Sequence, residues 1–203
     1  MVIDGILYGL GLFAGGLLAA WITGVSLLAT PFFVLGVFCL YFFRDPDRTT
    51  PPGPYVISPA DGKVMAVKPE DSGLTRISIF LNVFDVHVNR SPVAGRIVDV
   101  QYQKGQFLVA SKELASADNE QNVVTMETPD GVRVIYKQIA GLIARRIVFN
   151  KKAGETVASG DRIGLMKFGS RMDVLLGQEW DILVAPRERV VAGVTVLAKR
   201  KPS

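Results

Sequence analysis

The chain has 203 residues, 49% of them hydrophobic, and a formal charge of +4, which leaves room for one domain of ordinary size plus an appendage. Its single cysteine, Cys39, lies in an apolar segment, so a disulfide framework and a thiolate metal cluster are both excluded. The basic residues are dispersed without interleaved aromatics, which argues against nucleic acid as a partner.

From Gly5 to Phe43 run 39 residues with no charged, amide or histidine side chain. About 20 helical residues cross a hydrocarbon core, so the run is long enough for two passes. Gly24-Val25-Ser26 interrupts it weakly midway, and Pro31 offers a second break. A cleaved signal peptide needs a positive leading region and a shorter apolar core, whereas Asp4 is the only charge ahead of this run. The reading is a membrane-embedded helical hairpin over residues 1–43, in preference to a single long tilted or re-entrant segment. Arg44 and Arg48 follow at once, and the positive-inside tendency then puts the remainder on the cytoplasmic side of the cell membrane. Residues 44–203 hold all 23 basic side chains against 18 acids, a net +5. Such a domain is drawn to anionic headgroups by about 1 kcal/mol per well-placed charge, although an ordinary solvated basic surface has the same composition.

Residues 44–54, "RDPDRTTPPGP", read as an extended proline-rich linker. The domain over 55–203 is expected to be almost all β. The runs "KVMAVK", "TRISIFLNVF", "GRIVDVQYQ", "NVVTMET" and "VRVIYKQIAG" are rich in β-branched residues and bounded by Gly, Pro, Asp or Asn. "TPDGV" (128–132) joins two of them through an Asp-Gly turn, a strong hairpin signal. "SKELASADNEQ" (111–121) is polar and reads as a loop or one helical turn. A faint repeat links 155–167 with 188–200: each has a valine, a glycine three positions on, and then an apolar strand. The resulting expectation is a mainly β, barrel-like sandwich resembling the biotinyl/lipoyl hybrid-motif fold, preceded by the hydrophobic helical hairpin. That is a fold clue and does not itself assign function.

His87 is the only histidine, in "NVFDVHVNRSP". Strand alternation would put Asp85, His87 and Asn89 on one face, where the Asp85 carboxylate could orient the imidazole. One histidine is too few for a β-fold zinc hydrolase or a paired-histidine phosphocarrier, so no metal is expected. Asp61, in "SPADGKV", suits a β-turn, and an acid/base role would require it to reach another reactive group. Lys167 in "LMKFG" is similar to the lysine of the Met-Lys pair that carries biotin, which makes a membrane-tethered carrier or scaffold domain modified at Lys167 the alternative reading. Ser170 lacks the second glycine of a Gly-x-Ser-x-Gly elbow. The Gly169-Ser170 pair suits a different reaction, attack of the serine hydroxyl on the carbonyl just before it, since glycine leaves that carbonyl unhindered and admits unusual backbone angles. A plain glycine-serine turn fits the dipeptide equally well.

Four ordered motifs behind the apolar N-terminus, "YFFRDPDRTTPP", "SPADGKV", "FLNVFDVHVNRSPVAG" and "KFGSRMDVLLG", resemble the short form of the phosphatidylserine decarboxylase family. The resemblance covers nearly the whole chain. It implies a proenzyme cut between Gly169 and Ser170 into a membrane-bound β chain (1–169) and an α chain (170–203) that remain together as a heterodimer, with room for a further homo-oligomer. It implies that Ser170 becomes a covalent pyruvoyl cofactor, which forms a Schiff base with the amine of phosphatidylserine and yields CO₂ and phosphatidylethanolamine. An anionic phospholipid and the membrane are then the partners. By the same resemblance Gly169 supplies the scissile carbonyl, Asp61 takes part in maturation as acid/base or orienting group, and His87 transfers protons. Arg90 stands where longer members have a second histidine, so His87 is left to serve both steps, or Asp61 to act more directly. Arg171 and Arg90 are the candidates for binding the substrate phosphate or carboxylate, with a solvated charge as the other reading of Arg171.

Overall fold

The computed structural model describes residues 2–108, 110, 115–141, 146–167 and 169–202. The chain falls into two compact units, one ending at Asp47 and one beginning at Arg48. In the first, helix α1 (Ile3–Thr23) closes on Gly24, whose φ of 67° is left-handed, as glycine at a helix C-terminus permits. A short 3₁₀ turn (Ser26–Ala29) leads into α2 (Thr30–Phe42), with Pro31 in its first turn. The expected break at Gly24–Ser26 is therefore where the chain reverses, while Pro31 starts the second helix.

Glycines let the two helices approach closely. A Cβ on Gly5 would lie 2.4 Å from Phe43 Cβ, and one on Gly36 would lie 2.4 Å from the Phe13 ring. The outward side chains Leu7, Leu10, Leu17, Trp21, Val34 and Val37 are apolar and exposed. At 21 residues α1 spans about 32 Å, enough to cross a bilayer core. Ser26–Phe42 makes a shorter apolar arm that falls below that length.

The strands of the second unit are β1 (Tyr55–Ile57), β2 (Gly62–Pro69), β3 (Thr75–Leu81), β4 (Val88–Arg90), β5 (Gly95–Gln103), β6 (Gln121–Glu127), β7 (Arg133–Ile139), β8 (Ile147–Phe149), β9 (Thr156–Val157), β10 (Arg162–Met166), β11 (Ser170–Leu176), β12 (Trp180–Ile182), β13 (Arg189–Val190) and β14 (Val196–Arg200). A helical turn, α3 (Ala115–Asp118), precedes β6. It falls within the polar stretch 111–121, whose residues 111–114 lie outside the described residues. Eight strands form one curled sheet in the order β13-β2-β3-β11-β7-β6-β5-β9, and two three-stranded sheets, β1-β14-β12 and β4-β10-β8, complete a mainly β half-barrel. This is the fold class the strand runs predict.

Local chemistry accounts for the pieces. β2 alternates buried Gly62, Val64 and Ala66 with exposed Lys63 and Met65, the period of a half-buried strand. β6 and β7 form the predicted hairpin, turning at Gly131 with φ 80°. The repeat is real in the fold: β9 and β10 flank Gly160 (φ 83°) as β13 and β14 flank Gly193 (φ 73°). β11 is buried on both faces, with β3 on one side and β7 on the other. Met172, Val174 and Leu176 point into a core with Ile77, Ile79 and Tyr136.

Candidate active site

The segment read as one strand over 75–84 stops at Leu81. Side chains end it: the Asn82 amide donates to Asp85 Oδ2 at 2.9 Å, and the Phe84 amide donates to Asn82 Oδ1 at 2.8 Å. These contacts build a turn in place of a ladder. The alternation expected for Asp85, His87 and Asn89 therefore does not apply, since strand resumes only at Val88. Asp85 also pairs with Arg189 through its other oxygen, so its carboxylate serves the turn and the edge strand β13. What orients His87 is a main-chain group, the Asp85 carbonyl, 2.9 Å from Nδ1.

A carbonyl only accepts, so Nδ1 carries the proton and Nε2 keeps its lone pair. That nitrogen accepts a long hydrogen bond, 3.4 Å, from the Gly169 amide. His87 is fully buried, and its own carbonyl is held by the Met166 amide at the end of β10.

Gly169 connects β10 to β11 with φ 67°, a conformation that glycine adopts without strain. Phe168, the preceding residue of the motif, lies outside the described residues. Ser170 opens β11 opposite Leu81. Its Oγ is buried and has no hydrogen-bond partner among the described residues. An unpaired buried hydroxyl costs about 1–3 kcal/mol, so this polar atom calls for an explanation beyond packing.

Two features escaped the sequence reading. Gly141, just past β7, lies against the Gly169 carbonyl: a Cβ there would sit 2.1 Å from the oxygen and 3.1 Å from the carbon. A buried amide chain runs alongside, with Asn122 Nδ2 donating to Gln138 Oε1 (3.1 Å) and Gln138 Nε2 to Asn89 Oδ1 (2.9 Å). Gln138 pairs with Met172, so it is a diagonal neighbour of Ser170 on the same sheet face. The sequence signal for the first is a glycine inside the apolar stretch 139–143, whereas the amides, set beside polar or charged neighbours, give none.

The other candidates have partners of their own. Asp61 accepts from Arg48 Nη2 at 3.0 Å and from the Ala192 amide at 2.8 Å. Its turn is tied to β4 by the Arg90 amide, which donates to the Pro59 carbonyl. Arg90 is buried, donates to the Gly160 carbonyl at 3.1 Å, and lies against Gly193, so it bridges the two repeat turns. Arg171 is 2% exposed and therefore not a solvated charge. It donates to Asp173 Oδ1 (2.6 Å) and Ser78 Oγ (2.7 Å) on the face opposite Ser170. Lys167 is 8% exposed, a poor position for the carrier reading, because an attachment lysine must reach a modifying enzyme. Among the described residues no cluster of three or more His, Cys, Asp or Glu could hold a metal.

The structure thus brings His87, Gly169 and Ser170 to one buried junction. An imidazole nitrogen held at the amide just before a buried serine is placed to serve proton transfer and acyl chemistry. Comparison with known proteins specifies the kind. The family model described as phosphatidylserine decarboxylase matches residues 35–198. A phosphatidylserine decarboxylase proenzyme of Solibacter usitatus is 63% identical over 98% of this chain and 97% of that protein. Proenzymes of the same name are 47% identical in Ruegeria pomeroyi, over 81% of this chain and 80% of that protein, and 46% in Syntrophotalea carbinolica, over 93% and 91%. The chain belongs to the phosphatidylserine decarboxylase family.

Proposed function

We propose that this chain is a self-processing, pyruvoyl-dependent decarboxylase that converts phosphatidylserine to phosphatidylethanolamine. The observation that carries the reading is the junction itself: a buried serine hydroxyl without a partner among the described residues, one residue from an amide that donates to His87 Nε2. In maturation Nε2 takes the Ser170 hydroxyl proton while Oγ attacks the Gly169 carbonyl carbon. The Gly169–Ser170 C–N bond breaks, the proton passes to the leaving nitrogen, and an ester joins Gly169 to Oγ. Loss of the residue 170 Cα proton then breaks Cβ–Oγ and releases Gly169 as a carboxylate. The resulting enamine takes up a proton at Cβ to become an imine, whose hydrolysis expels ammonia and leaves a carbonyl at residue 170.

The fit of residue 170 to this role rests on its burial, on the left-handed Gly169 before it and on the absence of competing bonds to Oγ among the described residues. The pyruvoyl carbonyl supplies an electrophile for the substrate's primary amine and takes up the electron pair freed as CO₂ departs. His87 Nε2, once it has itself taken up a proton, would deliver it to the substrate carbon, while Nδ1–H stays bound to the Asp85 carbonyl. Asp61 acts as an orienting group, since its carboxylate holds Arg48 and the Ala192 amide and so fixes the turn bonded to β4. The cut products, 1–169 and 170–203, stay together as a heterodimer, because β11 lies between β3 and β7.

The apolar helix pair supports anchorage in the cell membrane, with the β domain on the cytoplasmic side. Protease accessibility in sealed vesicles tests that side. Intact-mass analysis tests the chemistry: two fragments divided before Ser170, the smaller with a carbonyl-reactive blocked end, are expected. A Ser170→Ala chain that still divides there sinks the mechanism.

A further inference from the structure

β11 begins at the proposed cut, so its first residue would carry the reactive carbonyl. An internal residue is held by chain on both sides, whereas a residue at a chain end is held from one side, and chain ends open at little free-energy cost. The sheet face opposite Ser170 carries a fastening one residue from that end. Arg171 Nε donates to Asp173 Oδ1 at 2.6 Å, and its Nη2 reaches across to Ser78 Oγ on β3 at 2.7 Å. Asp173 accepts from Ser116 of α3 through Oδ2 at 2.5 Å, and Arg76 Nη1 stands 3.6 Å from the same oxygen. Arg76 in turn holds Glu70 through Nε at 2.6 Å.

Among the described residues two arginines face two carboxylates, so their charges balance, and the hydrogen bonds make burial tolerable. Ser78 is paired by register with Asp173, which places every bond of the cluster on one face. That geometry leaves Arg171 no approach to the group at residue 170, whose side chain points to the other face.

We propose that this buried Arg171–Asp173–Ser78 cluster fastens the newly made chain end to β3 and keeps residue 170 in place against His87 after cleavage. The proposal rests on the cut before Ser170 argued above. Arg171 is then a positioning residue and not a substrate contact. Its planar fork matters as much as its charge, because a lysine cannot hold a carboxylate and a neighbouring-strand hydroxyl at once. Before the cut the chain itself holds Ser170, so the cluster acts chiefly on the mature enzyme.

The test compares Ser78→Ala and Arg171→Lys in the full-length chain reconstituted in phosphatidylserine vesicles. Turnover is normalised to the amount of cut protein. Ser78→Ala is expected to cut to completion, yet to lose kcat by roughly threefold, and Arg171→Lys to lose about tenfold per cut molecule, with KM held within about twofold. Amide hydrogen exchange at residues 171–173 should quicken in cut Ser78→Ala but not when Ser170→Ala keeps the same variant uncut. Unchanged kcat per cut molecule in both variants overturns the proposal. So does a raised KM with kcat preserved in Arg171→Lys, which would make the arginine a substrate contact. If Arg171→Lys fails to fold, Ser78→Ala decides alone. A wild-type chain left uncut before Ser170 overturns the functional reading first, and this proposal with it.

Discussion

Replacing Gly141 by alanine tests the placement of the Gly169 carbonyl, the scissile group of the proposed cut. The new Cβ would stand 2.1 Å from the Gly169 oxygen, against a floor of 3.0 Å that real Cβ atoms respect. One backbone or the other must therefore move by about 0.9 Å, the difference between those distances. Neither atom is the tip of a flexible side chain that could swing aside. Overpacking of this size typically costs about 1–3 kcal/mol of stability, which a folded domain survives. The effect on reaction is larger in proportion, because attack by Ser170 requires a near-attack geometry, and a misplacement of about 1 Å costs on the order of 100-fold in rate. Pulse-labelled chains followed on a denaturing gel should convert to two fragments about 100-fold more slowly, while thermal unfolding still reports a cooperative domain. Conversion at the wild-type rate in a folded chain would refute the claim that Gly141 sets the position of that carbonyl.

Three further outcomes follow from the same geometry. His87→Ala should slow both fragment formation and, in whatever fraction is cut, CO₂ release; a variant that cuts normally and decarboxylates poorly would confine His87 to the second step. Tyr136 is buried with its hydroxyl unpartnered among the described residues, and burial pushes its phenol well above the ordinary range. Tyr136→Phe should consequently be neutral or stabilising by about 1 kcal/mol in chemical denaturation, and a loss of similar size would mean that the hydroxyl is satisfied after all. A hydrogen bond to Glu120, reinforced by burial and the Glu120 charge, pushes Tyr102 up to about 12 from its ordinary 10.0. The protonated phenol is the form favoured in the fold, so its contribution is complete below pH 10 and fades as pH rises toward 12. Tyr102 is more than half exposed, so solvent screens the effect and keeps it small. Ionisation of the Tyr102 ring near pH 10, followed by NMR, would contradict this assignment.

Much of the architecture was legible because it is written in short-range pattern. The period of β2, the Asp130-Gly131 turn and the charge-free run ahead of Arg44 each depend on neighbours within a few residues. The reading failed where a side chain answered to something distant or to the backbone. His87 was assigned a carboxylate partner on the assumption of unbroken strand, but Asn82 and Asp85 close a turn, and the partner is a carbonyl. Arg171 reads from sequence either as a substrate contact or as a solvated charge, and only the pairing of β11 with β3 reveals that it faces Ser78. Gly141 meets Gly169 through the register of β7 with β11, which no local pattern encodes. The arginine at the second-histidine position is likewise understood only once Gly160 and Gly193 flank it.

The central place of β11 in the large sheet also fixes an order of events. The Gly169 amide reaches His87 as β11 takes its place between β3 and β7, so under the proposed mechanism a chain that has not finished folding has no assembled junction with which to cut itself. The proposed cut would then remove the return path. An uncut molecule that unfolds can refold by itself at any dilution, whereas a cut one must reunite two molecules, and its recovery falls with concentration. The proposed cut would thus work as a one-way latch: it would admit only finished molecules, and from then on durability would be governed by how slowly the central strand lets go.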